Sequence, residues 1–186
     1  MTILETQGLA ARNAARVLAV AGTARKDAAL EAIAQALYQQ QGYILSENEK
    51  DLASAMDAGM RKSMLDRLAL SAQRLDGIVE GVRQVAALPD PIGQVTKMDT
   101  RPNGLIIGRR RVPLGVIGMI YEARPNVTVD AAVLCLKAGN AVILRGGKEA
   151  FRSNKALVSV MRDALEQAGL PRDCVALVED TSRESA

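Results

Sequence analysis

The chain has 186 residues, enough for one domain with a sizeable core, and its 48% hydrophobic and 24% charged content matches a soluble globular protein. A formal net charge of +3 is too mild to argue for nucleic acid, and with no histidine neither a Ser-His-Asp nor a Cys-His arrangement can form. The two cysteines, Cys135 and Cys174, lie far apart and argue against a zinc site; no uncharged apolar run reaches about 18 residues, so no membrane span is expected. Glu5, Arg12 and Arg16 interrupt the start of the chain, which therefore lacks the apolar core of a secretory signal, and both thiols are expected to be free in a reducing cytosol.

The amino-terminal half reads as helices. Leu9, Ala10, Ala14, Leu18 and Val20 give a loose helical stripe. Thr23 has the chemistry to cap a second helix with Leu30, Ile33, Ala34 and Leu37 on one face. After Gly42, Ser46 and Glu49 stand at capping-box spacing and predict a helix opening there, with Leu52 and Met56 as its apolar face. Ser71 predicts another cap, for a helix carrying Leu75, Ile78, Val79, Val82 and Val85. Pro89-Asp90-Pro91 ends it, because proline cannot continue a helix and restricts the residue before it.

The period then changes. Residues 94–100 alternate loosely, Arg101-Pro102-Asn103-Gly104 is turn chemistry, and residues 105–112 follow as the second arm of an antiparallel hairpin. From Pro113 the pattern is α/β. Residues 116–121 form an apolar run suited to a buried parallel strand, and residues 127–137 a helix that Ala138-Gly139-Asn140 stops. Residues 141–144 predict a second buried strand, residues 153–168 a second helix with Leu157, Val160, Met161 and Leu165 on one face, and residues 175–178 a third strand. Asp180 to Ala186 reads as the cap and first turn of a further helix.

Strand, helix, strand, helix, strand is one mononucleotide-binding half of a doubly wound sheet. A complete sheet needs more strands, so the chain reads as a fragment. Residues 1–92 are its helical part, 93–112 a hairpin arm, and 113–186 the first half of a Rossmann-like domain. A half-sheet is expected to leave an exposed edge and an uncovered apolar face, making the chain marginal by itself.

Arg145-Gly146-Gly147-Lys148 leaves the carboxyl edge of the second strand, where nucleotides bind in such folds. Glycines let backbone approach a phosphate and two cations can hold a 2′-phosphate, although a solvated turn has the same composition. Arg124 can grip a carboxylate or phosphate bidentately. Asn126 stands where asparagine often caps a helix. Arg109, Arg110 and Arg111 fall on the second hairpin strand, alternating between its faces. With no aromatic platform they read as an exposed arm and not a nucleic-acid surface. Cys135 and Cys174 read as buried, inert thiols.

The stretch RRVPLGVIGMIYEARPNVTVD at 110–130, with LKAGNAVILRGGKE at 136–149, resembles the gamma-glutamyl phosphate reductase family of the aldehyde dehydrogenase superfamily. MLDRL at 64–68, RQV at 83–85 and DPIG at 90–93 extend the resemblance over essentially the whole chain. It implies an aldehyde dehydrogenase-like α/β fold: amino-terminal helices, the first βαβαβ half of a Rossmann-type parallel sheet, and a β-hairpin oligomerisation arm. The implied reaction is NADPH-dependent reduction of L-glutamyl 5-phosphate to L-glutamate 5-semialdehyde and phosphate, the second step of proline biosynthesis from glutamate, in the cytoplasm. A thiolate displaces phosphate and hydride reduces the thioester.

Neither cysteine matches the family nucleophile, which is expected beyond Ala186, so the chain alone is expected to be inactive. Alignment on Gly139-Asn140 implies that Arg145 contacts the cofactor ribose and that Lys148 lies near the residue selecting NADP, with Gly146 and Gly147 between them. The segment from Tyr121 to Asn126 would line the nicotinamide side, Asn126 serving the oxyanion hole and Arg124 and Glu122 the substrate. A homo-oligomer and an association with glutamate 5-kinase are implied; no metal, nucleic acid or membrane is. Two other readings share the same loop: a non-catalytic nucleotide-binding or oligomerisation module, and the reductase half of a bifunctional pyrroline-carboxylate synthase.

Overall fold

A capping box opens the first helix well before the apolar stripe begins. In the computed structural model, which describes residues 1–182, Thr2 Oγ1 accepts from Glu5 N at 3.2 Å and Glu5 Oε2 accepts from Thr2 N at 2.7 Å. This starts α1 (Ile3–Ala19); α2 (Thr23–Gln39), α3 (Gln41–Asp57), the short α4 (Lys62–Leu68) and α5 (Ala72–Ala87) follow. Ser71 caps α5 through a 3.2 Å bond from Arg74 N, and Leu75, Ile78, Val79 and Val82 are buried along it.

Two of the expected caps are displaced. Gly22 is the N-cap of α2, and Thr23 instead donates its hydroxyl to Asp90 Oδ2 at 2.7 Å. Ser46 and Glu49 lie inside α3, because Gln40 ends α2 and begins α3 at once and leaves no break for a later start. The buried face of α3 is Ile44, Asn48, Asp51 and Ala55, whereas Met56 is 58% exposed. Two polar residues turn inward because the end of α4, the link that follows it and the first turn of the helix at Phe151–Gln167 present polar groups to them. Asn48 Nδ2 donates to Leu68 O at 2.9 Å and to Ser153 Oγ at 3.0 Å, and its Oδ1 accepts from Leu70 N at 2.8 Å. Asp51 Oδ2 accepts from Ser153 N at 2.8 Å and from Ser153 Oγ at 2.6 Å.

The hairpin forms as its turn chemistry dictates. β1 (Val95–Thr100) and β2 (Ile106–Arg110) pair antiparallel, and Gly104 N donates to Arg101 O at 2.9 Å across the turn. Arg109, Arg110 and Arg111 are exposed, and Arg111 donates to Gln94 Oε1 at 3.1 Å.

The second sheet is parallel, in the order β3 (Val116–Ile120), β4 (Ala141–Arg145), β5 (Val175–Leu177), with α6 (Pro125–Lys137) and α7 (Phe151–Gln167) as crossovers. Gly139, at φ +72°, ends α6: its N–H bonds Leu136 O at 2.9 Å and the Asn140 N–H bonds Cys135 O at 2.8 Å. Successive β4 residues face opposite layers. Val142 and Leu144 join the main core with α6 and α7, while Ala141, with Ile143 beside it, packs on Ala11 and Ala15 of α1. The second face of the sheet, expected to be bare, is therefore covered by α1 at β4. β3, expected to be buried, is an edge strand. Ile117 and Met119 pack inward, but Ile120 is 66% exposed because β4 is its only neighbour among the described residues. Residues 183–186 of the expected further helix lie outside the described residues. Among the described residues no helix is long and apolar enough to cross a membrane.

Buried charges tie the helices to one another. Lys26 Nζ lies 2.6 Å from Asp90 Oδ2 and donates to Lys137 O at 3.1 Å; Lys137 Nζ bonds Asp27 Oδ1 at 2.6 Å and Ala86 O at 2.7 Å. Burial pushes the Asp90 carboxyl up, but the Lys26 ammonium, the Ile92 N–H and the Thr23 hydroxyl outweigh it and hold its pKa below the ordinary value. Stability from a depressed carboxylate is present above the ordinary carboxylate range and lost as pH falls through the folded value. Asp90→Asn is expected to lower stability at neutral pH and to flatten its acid limb, which urea unfolding between about pH 7 and about pH 3 measures. Asp51→Ala, which strands the Ser153 N–H and hydroxyl, is expected to cost about 3 kcal/mol and to lower Tm by about 6–12 °C in a thermal melt.

Candidate functional site

The loops that leave β3 and β4 emerge side by side. Tyr121 N donates to Arg145 O at 3.0 Å, carrying the ladder one residue past the strands. Pro125 at the first turn fixes the start of α6, and Arg124, extended at φ −133° and ψ 95° as a residue before proline must be, is its N-cap. Glu122 is exposed, and its carbonyl accepts from Arg124 N at 2.8 Å, closing a tight turn around the buried Ala123. Asn126 is not the cap. It sits inside the first turn of α6, where its Nδ2 donates to Asp130 Oδ2 at 3.2 Å. Partial desolvation raises the pKa of Asp130, against the pull of this hydrogen bond.

The glycines of the β4–α7 loop are required by neighbouring protein atoms. A Cβ on Gly146 would collide with Asn154 Nδ2 and approach Tyr121 Cζ at 3.1 Å. One on Gly147 would meet Glu149 Oε2 at 2.8 Å and Ala123 N at 3.2 Å. Behind Gly146 a polar chain crosses the interior: Tyr121 OH bonds Thr128 Oγ1 at 2.7 Å, and Thr128 Oγ1 donates to Asn154 Oδ1 at 2.8 Å. Burial raises the pKa of Tyr121, so the phenol is neutral. The side of each glycine that a Cβ would occupy thus faces protein.

The flanking cations differ in their engagement. Arg145 Nη2 donates to Thr181 O at 3.1 Å and Ser182 O at 2.7 Å, while its buried Nε has no partner among the described residues. Lys148 is exposed and lines a groove of about 580 Å³ with Met60, Met64 and Phe151.

Arg124 and Asn126 open elsewhere, into a cleft of about 430 Å³. Its other wall is the α4–α5 corner, which contributes Asp66, Arg67 and Arg74; Asp130 completes the α6 side. The residues singled out from sequence therefore divide between two places: Arg124 and Asn126 share the cleft, Arg145 and Lys148 stand at the β4 edge, and Glu122 lies on the loop beside Gly147. Sequence reasoning missed Arg67, Arg74 and Asp130. The sign in the sequence is that Arg67 falls in MLDRL and Asp130 closes the 110–130 stretch, both of which carry the family resemblance.

Both cysteines are buried and free. Burial pushes the Cys135 thiol up, and burial with the nearby Asp173 charge pushes Cys174 up to about 12, so both are protonated and unreactive at neutral pH. Among the described residues no group of three or more His, Cys, Asp or Glu could hold a metal ion.

The model of the aldehyde dehydrogenase family matches residues 2–186. The gamma-glutamyl phosphate reductase of Anoxybacillus flavithermus is 58% identical over 175 residues, which are 94% of this chain and 42% of that protein. The crystal structure of gamma-glutamyl phosphate reductase from Thermotoga maritima superposes with a TM-score of 0.96 at 42% identity, covering 98% of this chain and 44% of that one. The Saccharomyces cerevisiae gamma-glutamyl phosphate reductase does so with a TM-score of 0.91 at 30% identity, covering 98% and 47%. The chain thus spans less than half the length of these relatives.

Gly146→Ala is expected to destabilise the fold by about 1–3 kcal/mol, because the new methyl group meets the buried Asn154 and the Tyr121 ring, both held by the Thr128 hydroxyl. Gly8→Ala, in α1 with nothing within 4 Å of the new methyl group, is expected to stabilise it by about 0.5–1 kcal/mol. Thermal unfolding of the two variants beside the parent reads both signs.

Proposed function

The chain belongs to the aldehyde dehydrogenase family, and from that premise we propose that it is the cofactor-binding part of an NADPH-dependent reductase. The reaction converts L-glutamyl 5-phosphate to L-glutamate 5-semialdehyde and phosphate in proline biosynthesis, in the cytoplasm. High identity to proteins named gamma-glutamyl phosphate reductase supports the substrate. The observation that carries the cofactor reading is the pair of cations at the carboxyl edge of β4. Arg145 has an unpartnered buried Nε, and Lys148 has no ion pair among the described residues.

These residues suit the cofactor's ribose and 2′-phosphate: a guanidinium fixed on one side by two carbonyls, and an exposed ammonium at the far end of the two-glycine loop. Gly146 and Gly147 contribute by bringing the loop against Tyr121 and Ala123, which sets where the two cations stand. When bound, the cofactor supplies the hydride. This chain's own residues bind and orient: Asn126, anchored to Asp130 through one amide hydrogen, keeps the other for an oxyanion, and Arg124 faces the substrate's charge. Glu122, exposed on the loop between them, is the remaining substrate-side group. Cys135 and Cys174 do no chemistry here, since both thiols are buried and protonated. The hairpin, with Met98, Ile106 and Ile107 exposed, is the arm of a homo-oligomer, and glutamate 5-kinase is the partner enzyme expected to supply the acyl phosphate.

Titration with NADPH and NADH, followed by cofactor fluorescence, tests the cofactor reading. NADPH is expected to bind at least about tenfold more tightly, and the double variant Arg145→Ala, Lys148→Ala is expected to abolish the difference. Equal affinity for both cofactors, unchanged in the variant, would remove the assigned site.

A further inference from the structure

The cleft between the α4–α5 corner and the first turn of α6 holds more charge than its own pairs satisfy. Three guanidiniums, on Arg67, Arg74 and Arg124, and two carboxylates, on Asp66 and Asp130, line one space of about 430 Å³. Arg74 and Asp66 answer each other. Arg74 Nη2 lies 2.8 Å from Asp66 Oδ1, and Nη1 is taken up by the Asp66 and Ala69 carbonyls. Arg67 and Arg124 have no hydrogen bond or ion pair to their side chains among the described residues, and both are exposed. Among the described residues Asp130 has only the Asn126 amide.

What remains unanswered is two cations and one anion across a single cleft. Unpaired guanidiniums sharing a cavity repel, and a carboxylate between them relieves this with up to four charge-assisted hydrogen bonds. A lone carboxylate on the facing helix complements an ammonium. We infer that this cleft receives the zwitterionic α-amino-acid end of an acidic amino-acid derivative, Arg67 and Arg124 holding its carboxylate and Asp130 its ammonium. The inference rests on the proposed reductase reading for the identity of the derivative and extends it to residues on α4 and α6. The site accepts a carboxylate and an ammonium together; glutarate lacks the ammonium and 4-aminobutyrate lacks the α-carboxylate.

Amide NMR titration of the chain with L-glutamate, glutarate and 4-aminobutyrate tests this, with NADPH affinity measured on the same samples. L-Glutamate is expected to shift amides along the α4–α5 corner and the first turn of α6, and each analogue is expected to bind about tenfold or more weakly. Arg67→Ala is expected to weaken L-glutamate at least about tenfold while leaving NADPH affinity unchanged, with partial recovery in Arg67→Lys. Asp130→Asn is expected to erase the preference for L-glutamate over glutarate. If L-glutamate moves no cleft amide, if glutarate binds as tightly, or if neither Arg67 variant changes affinity, the assignment is wrong. Such a failure with NADPH binding intact overturns this site alone. Loss of cofactor discrimination with L-glutamate binding intact overturns the cofactor reading and leaves this one standing.

Discussion

The close approach at Gly146 sets the geometry of everything at the carboxyl edge of the parallel sheet. Where a side chain would stand, Gly146 meets Asn154 of α7 and the ring of Tyr121 at the end of β3. Tyr121 is joined in turn to Asn154 through the Thr128 hydroxyl on α6. One buried polar chain therefore fastens both crossover helices and both loops to each other. A methyl group at Gly146 would wedge the loops apart, and Arg124 and Asn126 would lose their fixed relation to Arg145 and Lys148. Preorganisation of this kind matters because a guanidinium or amide displaced by an ångström no longer meets its target.

A second buried network reaches the same region from the helical layer. Asn48 bonds both Leu68 O and Leu70 N, so it holds the link between α4 and α5, the segment that bears Arg67. Asp51, one turn further along α3, accepts from the first turn of α7, where unpaired N–H groups and the helix dipole favour a carboxylate. Apolar residues of similar volume could pack these helices at least as strongly, because buried ions carry a desolvation cost. They would not fix which turn of α3 faces which turn of α7. The directional bonds select one arrangement, and through it one placement of the α4–α5 wall against α6.

Much of the fold is legible in local chemistry. The Ser71 cap, the Gly104 turn, the glycine stop after α6 and the apolar faces of α2 and α5 depend on neighbours in sequence, and the structure keeps them. The failures have non-local causes. α3 starts at Gln41 because α2 hands it a turn already formed, which no capping pattern at Ser46 can reveal. Its inward face carries Asn48 and Asp51 because distant backbone groups await them, so a search for apolar periodicity favours Leu52 and Met56. β3 has the composition of a buried strand, but its exposure is decided by what lies beside it. The arginine cleft has no local signature at all. Arg67 and Arg124 are far apart in the chain, and only the packing of α5 against α6 brings their helices together.

Two anion-attracting places within one small fold raise a question of discrimination, since phosphorylated compounds could enter either. Charge sign at second order answers it. At the β4 edge, Arg145 and Lys148 flank the two-glycine loop, and in the proposed cofactor reading both meet a phosphate carrying about two negative charges; the Asp180 carboxylate, which interacts with Arg145, is bonded by the Ser182 N–H. In the cleft, Asp66 already neutralises Arg74, and Asp130 lies on the same α6 wall as Arg124, with Arg67 on the α4–α5 wall. A phosphate there gains two guanidiniums but must face Asp130, whereas a zwitterionic head group gains from all three. In the inferred amino-acid site, Asp130 would thus contribute to selectivity as much by what it repels as by what it binds, since specificity is a difference between affinities.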